Sequence, residues 1–323
     1  MKYIKFKFLT FFIVLISVIF SIFLCELVLR FIGLGDPVIY EKNPSWGYSL
    51  SENQTRVRFK NNVIKVNNVG LRSDKEWVKT NNKLILFMGD SVTYGGSKID
   101  NTELFSEKVC KHLGKKFLCG NAGINGYGVL NMVLRSRYDD RINNADIVIF
   151  VVILDDFWRG LVDIEPKHYF ISSPNKILPA MEEALNYAGW RYDINRYLAH
   201  KIKPNLDKVS KKNKMEKENK AHFNTAEFAL QNLNQEISRL TSKEKKVFVF
   251  YSPAKTDVIG DTPDWRKKIE KEVLNKTTNI YDMTPKFREN SELSIHSDNI
   301  HYTVDGHSLA AKIIHEYLKD NLN

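Results

Sequence analysis

The chain has 323 residues, enough for one large domain with appendages, and its 43% apolar content with 19 Phe supplies a sizeable core, which excludes wholesale disorder. Its net charge of +10 is concentrated: residues 201–220 hold eight Lys against Asp207, Glu216 and Glu218, half of the excess. No aromatics interleave there, so the stretch lacks the stacking groups of a nucleic-acid surface. It is expected to be a solvated Lys-rich segment, with contact to anionic lipid or acidic glycan as the alternative.

Phe8 to Cys25 is uncharged over eighteen residues. At about 1.5 Å per residue these nearly cross a hydrocarbon core of about 30 Å, and the apolar Leu-Val-Leu and Phe-Ile that follow complete the span. The exit, "SIFLCELVLR", offers no small-residue cleavage site, and bulky Leu24 before Cys25 disfavours a lipid-modified cysteine. Residues 8–32 are therefore expected to be an uncleaved signal anchor, with a long signal peptide as the alternative. Lys2, Lys5 and Lys7 mark residues 1–7 as a cytoplasmic tail. The rest of the chain then lies in the periplasm or cell exterior, held to the inner membrane by a single pass.

Residues 33–82 are polar and turn-rich, a membrane-proximal lead-in, with Gly70 ending a turn in "VNNVGLRSD". From Lys83 the rhythm changes. Leu84–Met88, Ile147–Leu154 and Val247–Tyr251 are short apolar runs of the kind that strands buried on both faces show, with weaker strands at 116–119 and 279–283. Between them lie helical faces: Phe105, Val109 and Leu113; then Leu230, Leu233, Ile237 and Leu240, opened by Asn224 and Glu227 as a capping box; and Leu309, Ile313 and Tyr317 last. Alternation of strands and helices predicts an α/β domain over 83–323, a parallel sheet covered on both faces by helices. Residues 157–223 break the alternation and read as an insertion, a flap bordering the sheet. Cys110 and Cys119 are expected as buried free thiols, a bridge between them being the alternative. No metal or cofactor is expected.

Four polar stretches fall at strand carboxyl ends, where open α/β sheets gather functional groups: "GDS" (89–91), "NAGINGYG" (121–128), Asp155-Asp156, and "SDNIHYT" (297–303). A serine hydroxyl attacks only when a base takes its proton, and imidazole suits that task when a carboxylate orients its other nitrogen. Asp298 and His301, three apart, can be aimed by one turn. Gly89 and Gly95 allow tight backbone around Ser91. The plainer alternative makes Ser91 a strand-end turn residue and His301 a surface histidine. His307 is expected to pack at the start of the last helix, His296 and His222 to be solvated, and Asp156 to hold its own loop.

With these motifs in place, the chain resembles the SGNH/GDSL hydrolase superfamily, in particular its bacterial branch with an N-terminal membrane anchor. Gly89-Asp90-Ser91, "NAGING" (121–126) and Asp298-x-x-His301 match its motifs, and "NNVGLRSD" and "HYTVDGHSLAA" resemble that branch's flanking segments. The resemblance implies a three-layer α/β/α fold with a mainly parallel, flavodoxin-like five-stranded sheet. It also implies Ser91 as nucleophile, His301 as general base and Asp298 as orienting acid, with the N–H groups of Ser91 and Gly126 as oxyanion donors. One departure stands out: the family's third motif ends in Asn-Asp, and here Asp155 replaces the donor Asn. An ionised carboxylate cannot donate, so Asp155 is displaced, protonated by burial, or a sign of weakened catalysis. The implied function is a membrane-anchored serine esterase acting on acyl, above all acetyl, esters of a cell-envelope glycan or another small ester. The alternatives are an O-acyltransferase using the same site and a non-catalytic glycan-binding or assembly protein.

Overall fold

The computed structural model describes residues 2–164, 170–191 and 225–322. The Lys-rich segment, His222 and the capping residue Asn224 lie outside them. The first helix, α1 (Lys2–Phe31), carries a stretch, Phe8–Phe31, long and apolar enough to cross a membrane. Its apolar side chains point outward rather than into the protein, as lipid-facing groups do.

The lead-in is more ordered than its polar sequence suggests. It folds into two antiparallel hairpins, β1 (Tyr40–Asn43) with β2 (Gly47–Leu50) and β3 (Gln54–Arg58) with β4 (Asn62–Val66). Tyr48, Leu50, Ile64 and Leu71 enter the same core as the central strands. The alternating pattern that would reveal these strands is hidden because several of their buried positions are polar, Ser49, Gln54 and Arg58, and find their partners elsewhere in the chain.

The main sheet has five strands: β5 (Lys83–Gly89), β6 (Phe117–Asn121), β7 (Ile147–Val152), β8 (Lys246–Tyr251) and β9 (Ile280–Asp282). Their order is β6-β5-β7-β8-β9, and every pairing is parallel. Taken from β5, this is the flavodoxin-like order, with the reversal at β5 and β7 where such sheets leave a crevice. All six residues of β7 are buried, which is why its run is unbroken in the sequence. One face is covered by α3 (Phe105–Leu113) and by a long C-terminal helix, Val304–Asn321. The other is covered by α4 (Val129–Tyr138), by a helix whose described part spans 225–241, and by the helix Asp264–Lys276. The fold is therefore the expected three-layer α/β/α architecture.

The segment 170–191 does not hang free over the sheet. Its helix α5 (Pro179–Arg191) is clamped at two points. Glu26 of α1 accepts the N–H groups of Ala180 at 3.1 Å and Met181 at 2.9 Å, capping the helix start. Glu183 forms a fully buried pair with Arg58 of β3 and accepts the Gly35 N–H at 2.7 Å.

Two further expectations are corrected. Cys110 and Cys119 are joined by a disulfide, their Cα atoms 5.8 Å apart. The helix α3 and the neighbouring strand β6 place both residues on one face of the sheet, a proximity that spacing alone does not report. His296 is not solvated: it is half-buried among Phe287 and Tyr302, with Nε2 3.1 Å from the Pro253 carbonyl, and burial holds its pKa below the ordinary value.

Candidate active site

The carboxyl end of β5 turns directly into a single helical turn, α2 (Ser91–Tyr94). Asp90 makes that turn possible, its Oδ1 accepting the Val92 N–H at 2.8 Å as an N-cap. Gly95 closes it in the left-handed region, φ 86°, where a side chain would also collide with Leu104. Ser91 thus stands at a fixed point, 9% exposed, at the crevice of the sheet.

Its partner arrives from 210 residues away. Nε2 of His301 lies 2.9 Å from Ser91 Oγ, and Nδ1 lies 2.6 Å from Asp298 Oδ2. Asp298 builds its own loop: Oδ1 accepts the N–H groups of Ile300 and His301, both at 2.8 Å. Partial burial alone would raise this carboxyl, but those N–H groups and the imidazole outweigh it and hold the pKa below the ordinary range. An ionised Asp298 places the ring proton on Nδ1 and leaves Nε2 as the acceptor for the Ser91 hydroxyl. Tyr302, next in sequence, is buried and pinned to Ser252 at 2.5 Å, so the loop rests on the end of β8.

The second motif loop is tied to the first. Asn121 Nδ2 donates to the Thr93 carbonyl at 2.6 Å, and the Ile124 N–H donates to the Gly89 carbonyl at 3.2 Å. Gly126 occupies the third position of the turn Ile124–Tyr127 with φ 79°, where type II turns take glycine. The lead-in braces this loop from behind. Tyr48 Oη donates to the Asn125 carbonyl at 2.6 Å, Asn125 Nδ2 donates to Tyr40 Oη at 2.9 Å, and Tyr127 Oη donates to the Tyr48 carbonyl. Sequence reading missed these tyrosines, whose contacts lie about eighty residues away in the chain.

After β7 the chain makes a 3-10 turn, Leu154–Phe157, that carries the two acids of the third motif. Asp155 is not left uncompensated. Its Oδ1 accepts from Arg266 Nη1 at 2.6 Å, and the guanidinium packs over Trp158, 5.1 Å from the ring centre, and near Trp265 at 5.9 Å. Asp156 turns inward. One oxygen accepts the Ile153 N–H at 3.0 Å, and the other accepts from Arg159 Nη1 at 2.7 Å. The same Nη1 reaches Asp90 Oδ2 at 3.0 Å and the Tyr127 carbonyl at 2.8 Å. One guanidinium thus serves two fully buried carboxylates. Burial, and then the nearby Asp90, push the Asp156 carboxyl well above its ordinary range despite Arg159.

Arg159 and Arg266 were not foreseen, although an acid in a slot that calls for a neutral donor is itself a signal to look for a countercharge. His307, by contrast, is structural: it stacks on Phe105, its Nδ1 accepts the Phe105 N–H at 3.3 Å, and burial pushes its pKa down to about 3.

A flavodoxin-like sheet with a serine, imidazole and carboxylate in hydrogen-bonded series at its crevice defines a class, the hydrolases that work through an activated serine on an α/β/α scaffold. The model of the family GDSL-like Lipase/Acylhydrolase matches residues 85–314, and the chain belongs to that family. It is an acyl ester hydrolase of the GDSL type. Among solved structures it is similar to a lipase/acylhydrolase from Enterococcus faecalis, with 16% identity over 74% of this chain and 96% of that one, TM-score 0.43. A catalytic mutant of Axe2, an acetylxylan esterase from Geobacillus stearothermophilus, shares 16% identity over 75% and 95% of the two chains, TM-score 0.42. An α/β hydrolase from the metagenome of Lake Arreo, Spain, shares 13% over 73% and 94%, TM-score 0.42. A comparison with curated proteins finds no match.

Proposed function

We propose that this protein is a membrane-anchored, extracytoplasmic serine esterase that removes acyl groups, above all acetyl, from a cell-envelope glycan. The observation that carries the reading is the series Ser91–His301–Asp298, with its contacts of 2.9 and 2.6 Å. Ser91 Oγ attacks the ester carbonyl as its proton passes to His301 Nε2, while Asp298 holds the resulting imidazolium in place. The tetrahedral oxyanion takes hydrogen bonds from the N–H groups of Ser91 and Gly126. Its collapse expels the alcohol, which receives the proton from His301. Water, activated by the same imidazole, then cleaves the acyl-serine to acid and free enzyme.

Arg266 removes the main objection to this chemistry. An ion-paired Asp155 no longer presents a bare negative charge to a developing oxyanion, so the missing Asn weakens the site without poisoning it. The extracytoplasmic setting is supported by the lysines in the first turns of α1, ahead of its apolar stretch, and by the Cys110–Cys119 disulfide, since such bonds persist in oxidising compartments.

A serine-directed fluorophosphonate tests the catalytic claim: it labels the natural protein and not Ser91→Ala. A natural protein that stays unmarked, or a variant marked equally well, refutes it. Incubation with an acetylated glycan then reads the substrate. Free acetate is the expected product, whereas acetyl transfer to an added acceptor glycan would make the protein a transferase.

A further inference from the structure

The anchor and the insertion helix meet where the chain leaves the apolar span. Eighteen residues from Phe8 to Cys25 at 1.5 Å each cover about 27 Å, so Glu26 stands at the edge of the hydrocarbon layer. Glu26 caps α5 through Ala180 and Met181, which sets the start of α5 at that same height. Three residues earlier Ile177 is 82% exposed, and one turn beyond Met181 Leu185 is 67% exposed. On the other side of the exit, Phe31 is 92% exposed and Val57, on β3, is 51% exposed. Phe31, Ile32, Val57 and Pro179 line one cavity of about 1070 Å³, and its charged lining includes Lys98, Asp36, which pairs with Arg56, and Arg30, which pairs with Glu26 at 2.6 Å.

Large apolar side chains left outward on several separate segments around one point are not ordinary surface. Here the point is the mouth of the span, and Lys98 accompanies them at the level of lipid phosphates. The geometry points to a second membrane contact: this face, made by the exit of α1, the tip of the β3–β4 hairpin and the start of α5, is seated in the lipid headgroup layer. The occupant is the bilayer surface itself, continuous with the span. The inference rests on the anchor reading of α1.

The seat has a functional consequence. Lys98, on the cavity wall, lies seven residues after Ser91, and seven residues reach at most about 25 Å. The candidate nucleophile is therefore held close to the headgroups, and its substrate is an ester presented at the membrane surface rather than far out in the envelope. Glu26 and the Arg58–Glu183 pair make the attachment stiff, in contrast to a flexible tether.

The test uses the full chain, one copy per lipid nanodisc, with Cys25→Ser as background and the disulfide intact. Single cysteines replace Ile177, Val57, Ile13 within the span, or Ser242 in the exposed turn before β8 at the amino ends of the strands. Each carries an environment-sensitive fluorophore, and the lipids carry nitroxide quenchers at the headgroup or along the chain. Labels at 177 and 57 are expected to lose fluorescence to headgroup nitroxide, the label at 13 to chain nitroxide, and the label at 242 to neither. If 13 is quenched while 177 and 57 behave like 242, the seat is refuted and the anchor stands. If 13 is not quenched, the anchor reading falls and takes the seat with it.

Discussion

Two loops at the crevice of the sheet carry aspartates, and they use them in opposite ways. In the loop before the last helix, Asp298 is half exposed and served by backbone N–H groups two and three residues on, so its charge is stabilised locally. In the turn after β7, Asp155 and Asp156 depend on guanidinium groups, one of them from a helix 111 residues away. The backbone donors hold the Asp298 carboxyl below its ordinary range, whereas burial and then the nearby Asp90 push the Asp156 carboxyl well above it, against the pull of Arg159. The difference shows that an acid near a reaction centre is defined by what compensates it. Backbone donors keep Asp298 ionised as a lasting partner for imidazole, while burial beside Asp90 brings Asp156 close to holding a proton in spite of its arginine.

The comparison breaks most visibly at Asp298. Asp298→Asn keeps the loop's shape but favours the wrong imidazole tautomer, and turnover on a simple acetyl ester is expected to fall by about 10⁴. Steady-state kinetics on the purified full-length variant read this. A loss below tenfold would show that Asp298 is not the orienting acid.

At Asp156 the contrast appears in stability against pH. Because its folded pKa is raised, stability is fully present below the unfolded value of 3.8 and declines as pH climbs toward the folded one. The loss amounts to about 1.4 kcal/mol for each unit between the two values. Asp298, with a lowered pKa, acts with the opposite sign: its contribution is complete above 3.8 and is lost on acidification. Asp156→Asn, which mimics the protonated acid, is expected to flatten the decline on the alkaline side only. Thermal unfolding midpoints across a pH series test it, and an unchanged slope would mean that Asp156 ionises freely.

The smallest effect is expected at Asp155. An unpaired carboxylate in the donor position would make Asp155→Asn a gain of about 10²–10³ in turnover. With Arg266 already holding the charge, the exchange removes little repulsion and frees a guanidinium instead, so turnover is expected to move by less than about tenfold, or 1.4 kcal/mol. Kinetics of Asp155→Asn beside Arg266→Gln sharpen the point. A gain of 10² or more in the first would show that the ion pair does not neutralise the site.

What could be read in advance follows the same division between local and distant partners. The central strands announce themselves because β7 is buried on both faces and needs no alternation. Gly89-Asp90-Ser91 and Asp298-x-x-His301 are legible because each does its work within a few residues: a cap on Val92, a loop closed on His301. Arg266 gave no such sign, its role being set by a fold that brings it 111 residues back along the chain. Arg159, though only three residues from Asp156, meets Asp90, 69 residues back, only through the fold. The hairpins of the lead-in were hidden for the same reason. Tyr48 explains itself only once Asn125 and Tyr127 are beside it.

That brace has a bearing on where the molecule can be cut. The stretch shared with relatives begins at Ile85, yet Leu50, Ile64, Leu71 and Trp77 fill one core with Met132 and Val133 of α4. What is inherited as a family module and what folds as a body are therefore not the same length of chain. A version begun at Lys83 would keep every motif and lose the wall against which its second loop is set.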